Sequence, residues 1–196
     1  PPKTLAELDA VMQKAKDAGI VPIMQWNKGT GGLAFPLQNL MGAYGDPTPI
    51  NDWIFQKPGA TIDTPSNLQA TEHLEKWIKA GYFPADANSL DYGANMGLFI
   101  GGTGLFLFNG DWESGNLDKQ MAGNAGFFLM PPAEAGAKHA AMSAPLTYGI
   151  GAKAKNADCA AFFLNWVATN TEARKINVEV GGSNPGGPPD LPIPAV

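Results

Sequence analysis

Phe108-Asn109-Gly110-Asp111-Trp112-Glu113 sets an indole between two carboxylates directly after a glycine. A flat indole is a surface against which pyranose C–H groups pack, and a carboxylate accepts hydrogen bonds from sugar hydroxyls. Leu105 to Phe108 reads as a strand and Asp111 onward as a short helix, which puts the indole at a strand end. In α/β sheets such positions are where ligands bind. A structural use fits the same residues: Trp112 can anchor the helix, and Asp111 and Glu113 favour the positive end of its dipole. Both uses stay open on the residues alone. Trp26 and Tyr148 also lie at or near strand ends, where core packing competes with ligand contact.

Other chemistry finds less support. Gly101-Gly102-Thr103-Gly104 follows a helix and precedes a strand, the reverse of a phosphate loop, and no Gly-Lys-Ser/Thr follows. It reads as a turn. His73 and His139 have no second ligand at metal spacing, so zinc is not expected, and His73 reads as a surface helix residue. Asp86, Asn88 and Asp91 lack the glycine and terminal glutamate of a calcium loop. Cys159 falls in the first turn of a helix with aromatic neighbours and reads as a buried structural thiol. No Gly-x-Ser-x-Gly elbow is present for a nucleophilic triad. Neither a metal, a cofactor nor a catalytic residue is expected.

The elements that must carry these residues alternate between helix and strand. Thr4-Leu5-Ala6-Glu7 is a capping box, with the Glu7 carboxylate returning to the backbone of Thr4. Leu5, Leu8, Val11, Met12 and Ala15 then keep helical spacing up to a stop at Gly19. Ile20 to Trp26 reads as a buried strand. Leu33 to Tyr44 is a helix with Pro36 in its first turn. Thr64-Pro65 opens another, whose inner face is Leu68, Thr71, Leu74, Trp77 and Ile78. Asp91 to Ile100 is helical. Ala125 to Met130 and Leu146 to Ala152 read as strands, Asn156 caps a helix, and a last helix covers about Thr171 to Val180. The class is α/β.

Length and composition bound the rest. A chain of 196 residues with 44% hydrophobic residues holds one sizeable core. With 24 glycines and 17 prolines, much of it must be turns. A net charge of −5 argues against nucleic acid as a partner. No apolar run approaches the ~18 residues of a membrane-spanning helix. A single cysteine makes no internal disulfide.

Several stretches carry a resemblance. Pro2-Lys3-Thr4-Leu5-Ala6-Glu7-Leu8 with Ala18-Gly19-Ile20-Val21-Pro22-Ile23 resembles the opening of a lobe in family-1 bacterial extracellular solute-binding proteins, the group of maltose-binding protein. Phe108 to Trp112 resembles that family's strand followed by Gly-x-Trp. Phe128-Leu129-Met130-Pro131-Pro132 resembles the next strand and its proline pair. Gly149 to Asn156, with Ala160-Ala161-Phe162-Phe163, resembles the returning strand and its helix.

The resemblance implies a periplasmic-binding-protein-like (type II) lobe with a mixed sheet flanked by helices. Residues 1–138 would be most of the C-terminal lobe, 139–182 a crossover back to the other lobe, and 183–196 an extended Gly/Pro-rich tail. It implies a fragment without most of the N-terminal lobe, and self-association where apolar faces are left uncovered. The expected function is the substrate-binding component of a bacterial ABC importer. It would bind a sugar or oligosaccharide and pass it to permease subunits, outside the cell or in the periplasm, tethered to the membrane surface. Trp112 is the expected stacking residue, with Asp111 and Glu113 as hydroxyl partners; Trp26, Phe35 and Tyr148 are further ligand-binding candidates. Phe35 lies near an aromatic position that lines the cleft of the maltose-binding relative. Two alternatives remain. One is a secreted carbohydrate hydrolase using Asp111 and Glu113; the other is a binder of a polyamine or another small solute.

Overall fold

The computed structural model describes residues 1–29, 31–139 and 148–182. The chain divides into two compact units, Pro1–Phe108 with Gly126–Ser143, and Asn109–Ala125 with Ala144–Val196. The expected tail, 183–196, lies outside the described residues, as do 146 and 147 of the expected fourth strand.

In the first unit, helix α1 (Leu5–Asp17) starts at Thr4, whose hydroxyl accepts the amide of Glu7 at 3.2 Å. The Glu7 carboxylate reaches the amide of Lys3 at 2.8 Å, one residue earlier than a capping box requires. Gly19, at φ +76°, supplies the expected stop. Helix α2 (Ala34–Tyr44) carries Pro36 in its first turn, and α3 (Thr48–Ile54) is a short helix that the sequence reading missed. Helices α4 (Pro65–Lys79) and α5 (Tyr92–Ile100) begin where Thr64 and Asp91 accept amides three residues on. Leu8 and Met12 of α1, Leu40 of α2, and Leu74 and Trp77 of α4 share one core with Ile23.

A charged network holds these helices together. Asp9 on α1 accepts from the Nε2 of His73 at 3.0 Å and the Nε1 of Trp77 at 2.7 Å, both through Oδ1. Its Oδ2 takes the ammonium of Lys76 at 2.5 Å. The far nitrogen of His73 lies 2.6 Å from the Tyr44 hydroxyl of α2. A carboxylate only accepts, so Nε2 carries a proton, and in the neutral ring the Tyr44 hydroxyl donates to Nδ1. His73 is therefore buried in the core and not at the surface. The network also turns α4 away from its expected face. Asn67, Ala70 and His73 go inward while Leu68 and Ile78 are exposed, because His73 and Trp77 have polar partners on α1 that hydrophobicity does not reveal.

The expected mixed sheet does not form. Among the described residues the extended segments make a single parallel bridge, Ile23 with Phe106. Leu105 and Phe106 donate to the carbonyls of Val21 and Pro22 at 2.9 and 3.0 Å, and Met24 donates back to Phe106 at 2.7 Å. There the pairing ends. Ile23, whose amide points to the opposite edge as alternation in an extended chain requires, donates to Tyr82. Beyond Met24 the buried Gln25 carboxamide takes both backbone groups of Phe108, accepting its N–H at 3.1 Å and donating to its carbonyl at 3.2 Å. A side chain thus occupies the hydrogen-bonding groups that a further ladder step would use.

In the second unit a 3-10 turn, Asp111–Glu113, leads into α6 (Ser114–Met121). Helices α7 (Ala157–Thr169) and α8 (Thr171–Glu179) pack against each other, and the Asn170 side chain caps α8. Asn156 occupies the N-cap position of α7, but its side chain makes no capping hydrogen bond there. Cys159 on α7 is exposed, not the buried thiol anticipated, because the apolar side of α7 remains largely solvent-facing, with Phe162 72% exposed.

Burial by itself would raise the pKa of Asp9; the hydrogen bonds from His73, Lys76 and Trp77 outweigh it and hold the carboxyl down at about 2, from an ordinary 3.8. A depressed carboxyl stabilises the fold above its unfolded pKa and loses that contribution as pH falls through the folded one. Thermal unfolding followed against pH should show stability dropping between about pH 4 and pH 2. Asp9→Ala should cost about 2–3 kcal/mol at neutral pH, since it strands the buried donors of His73 and Trp77, and should flatten that acid limb.

Candidate functional site

The turn at the start of α6 is shaped by contact with its own backbone. Gly110 has φ −107°, which any residue adopts, so its need for glycine is spatial. A Cβ on Gly110 would lie 2.1–2.4 Å from three atoms of the Trp112 ring. The indole therefore lies directly on the Gly110 backbone, while Trp112 as a whole stays 46% exposed. One side of the ring is backed by the chain, and part of the residue's surface is open to solvent.

Ser114 fixes this turn. Its hydroxyl lies 2.7 Å from the carbonyls of Asp111 and Gly182, so the chain just after α8 is fastened to the turn. Gly182 has φ +66°, and a Cβ there would come within 2.5 Å of that hydroxyl. The polar surroundings run along α6. Glu113 Oε2 accepts from the Asn116 amide at 2.8 Å, and Asn116 Oδ1 accepts from the Gln120 amide at 2.5 Å. Asp111 is exposed and Glu113 half-buried. The structure thus places Asp111, Trp112 and Glu113 on one turn. Tyr148, in the same unit, is 76% exposed and lies outside any helix.

Trp26 and Phe35 form a second group, within the first unit. Their rings meet edge-on at 5.6 Å, and Tyr92 also meets Trp26 edge-on, at 4.8 Å. Trp26 is only 2% exposed, so packing against these rings is what it does in this structure, and Phe35 is half-buried. Tyr92 was missed as a member of this group. Asp91 marks it as the first residue of α5, but nothing local in the sequence says that α5 starts against Trp26. Among the described residues no three potential metal ligands converge. Asp91 caps α5 and Asn88 accepts from the Asn27 amide at 2.7 Å, so both have structural uses.

The profile of the bacterial extracellular solute-binding proteins matches residues 2–174. The chain belongs to that family. Two solved structures are similar in fold to this solute-binding chain. One is a chitin oligosaccharide binding protein, with 18% identity and a TM-score of 0.71 over 94% of this chain and 47% of its own. The other comes from work on xylan utilization by the thermophilic bacterium Caldanaerobius polysaccharolyticus. It has 20% identity and a TM-score of 0.53, over 61% of this chain and 30% of its own. The chain spans about half the length, or less, of these structures. No curated protein sequence gave a match. The family assignment agrees with the resemblance drawn from the sequence. The chain is similar to these folds, but its described residues lack the strand ladders that the resemblance implied.

The Gly110 contact is directly testable. Gly110→Ala should push the Trp112 ring off the backbone and increase acrylamide quenching of its fluorescence, while a Trp112→Phe background should show no such increase. Identical quenching in Gly110→Ala and the parent chain would mean that the ring does not rest on Gly110.

Proposed function

We propose that this chain carries ligand-binding residues of the substrate-binding component of a bacterial ABC importer, and that the ligand is a sugar or oligosaccharide. The observation that carries the reading is the Trp112 indole, backed by Gly110 and still partly open to solvent. A rigidly backed aromatic surface suits the apolar faces of pyranose rings and loses little freedom on binding. Asp111 and Glu113 beside it are acceptors for hydroxyls. The similar structures point the same way, one being a chitin oligosaccharide binding protein and the other coming from work on xylan utilization. In the whole protein, closure about a hinge would be driven by contacts made only in the closed, liganded state. The loaded protein would deliver its sugar to permease subunits from the extracellular or periplasmic side, tethered to the membrane surface.

Binding without turnover is the reading for Asp111 and Glu113. A glycosidase sets its two carboxyls about 5–10 Å apart on either side of the scissile bond. Two residues of a single short turn, with Glu113 already bound to Asn116, do not suggest that arrangement.

Fluorescence titration with mono- and oligosaccharides tests the proposal. Saturable binding should weaken at least tenfold in Trp112→Ala, the equivalent of about 1.4 kcal/mol or more. Binding unaffected by Trp112→Ala would move the site elsewhere, and silence across all sugars would sink the sugar reading. Hydrolysis of a chromogenic glycoside, abolished by Glu113→Gln, would favour the hydrolase instead.

A further inference from the structure

The exposed face of α6 holds a row of polar side chains that the stacking contact does not use. Glu113, Asn116 and Gln120 follow each other at spacings of three and four, which places them on one side of the helix. The first of them, Glu113, follows Trp112 directly on the 3-10 turn, so the row starts at that turn. Its members are joined head to tail, with the Gln120 amide donating to Asn116 and the Asn116 amide donating to Glu113. At 1.5 Å per residue the row extends about 10 Å along the axis. That is more than the length of one aromatic platform.

We infer that the Asn116–Gln120 row is a subsite for further units of an oligosaccharide whose first ring stacks on Trp112. The inference rests on the sugar reading and deepens it. Each primary amide has two N–H donors and a carbonyl oxygen with two lone pairs, and the row itself uses one N–H from each. Such groups suit ligand hydroxyls or acetamides, which both donate and accept. The mutual bonds hold the side chains in one arrangement before a ligand arrives, which lowers the ordering cost of binding. Neither amide carries a charge, so Asn116 and Gln120 offer hydrogen bonds and no ion pair, which suits an uncharged chain. A monosaccharide would use only Trp112 and its neighbours, and affinity should climb as units are added.

The test is a titration of the full chain with chito- and xylo-oligosaccharides, from the monosaccharide to the hexasaccharide. It compares the parent, Trp112→Ala and Gln120→Ala, which leaves the Asn116–Glu113 bond in place. Alanine is a better helix former than glutamine, so Gln120→Ala should keep α6, which circular dichroism verifies. The expected result is unchanged monosaccharide affinity with loss of about tenfold for the longer chains, while Trp112→Ala weakens both. Chain-length dependence identical to the parent would overturn the row and leave the Trp112 site standing. Equal losses for short and long sugars would overturn it too. No binding of any saccharide by the parent would overturn both readings together.

Discussion

The carboxylate of Asp9 is the point on which the first unit hangs. It sits on α1, yet its partners lie on α4, and through His73 it reaches Tyr44 on α2. Placing a charge in a core is costly unless it is fully paired, and here the pairing is dense enough to keep the group ionised. The arrangement fixes rotation as well as contact. Helix α4 must show His73 and Trp77 to α1, so Leu68 and Ile78 turn outward even though a purely apolar face would have taken them in. The register between the helices is thus written in polar atoms, and the hydrophobic side chains fill the space that this leaves.

The candidate site is built by another kind of constraint, local and steric. Gly110 leaves room for a ring to lie on the main chain, and Ser114 holds the turn in shape by bridging to the chain just after α8. Preorganisation of that sort limits what must be ordered when a ligand arrives.

Much of the chain was legible because its signals are short-range. Thr64, Asp91 and Gly19 announce helix ends through caps and a left-handed stop, and each stands where the sequence put it. The family resemblance held for a similar reason: it rested on ordered local stretches. What misled was anything decided by a distant partner. His73 reads as a surface residue until Asp9 and Tyr44 arrive from two other helices. The apolar runs at Ile20 to Trp26 and Leu105 to Phe108 have strand composition, but composition does not reveal that Gln25 takes the backbone of Phe108. Cys159 was assigned to a core that α7 does not complete among the described residues. At the candidate site, Gly-Asp-Trp-Glu was visible as a pattern. That the ring rests on the glycine, and that Asn116 and Gln120 continue the polar surface, needed coordinates.

The Gln25 carboxamide has a further meaning. It reads the main chain of Phe108 with one oxygen and one nitrogen, and the same nitrogen also serves the carbonyl of Gly32 at 3.0 Å. Glutamate has the same shape but would turn an oxygen toward both carbonyls, setting lone pair against lone pair in a site closed to water. Asparagine has the right polarity and is one methylene too short. Position 25 therefore works as a lock with polarity: it accepts one residue by the direction of its amide, whatever side chain residue 108 carries. A fold that forgoes a strand partner at that point has placed its alignment in a single functional group.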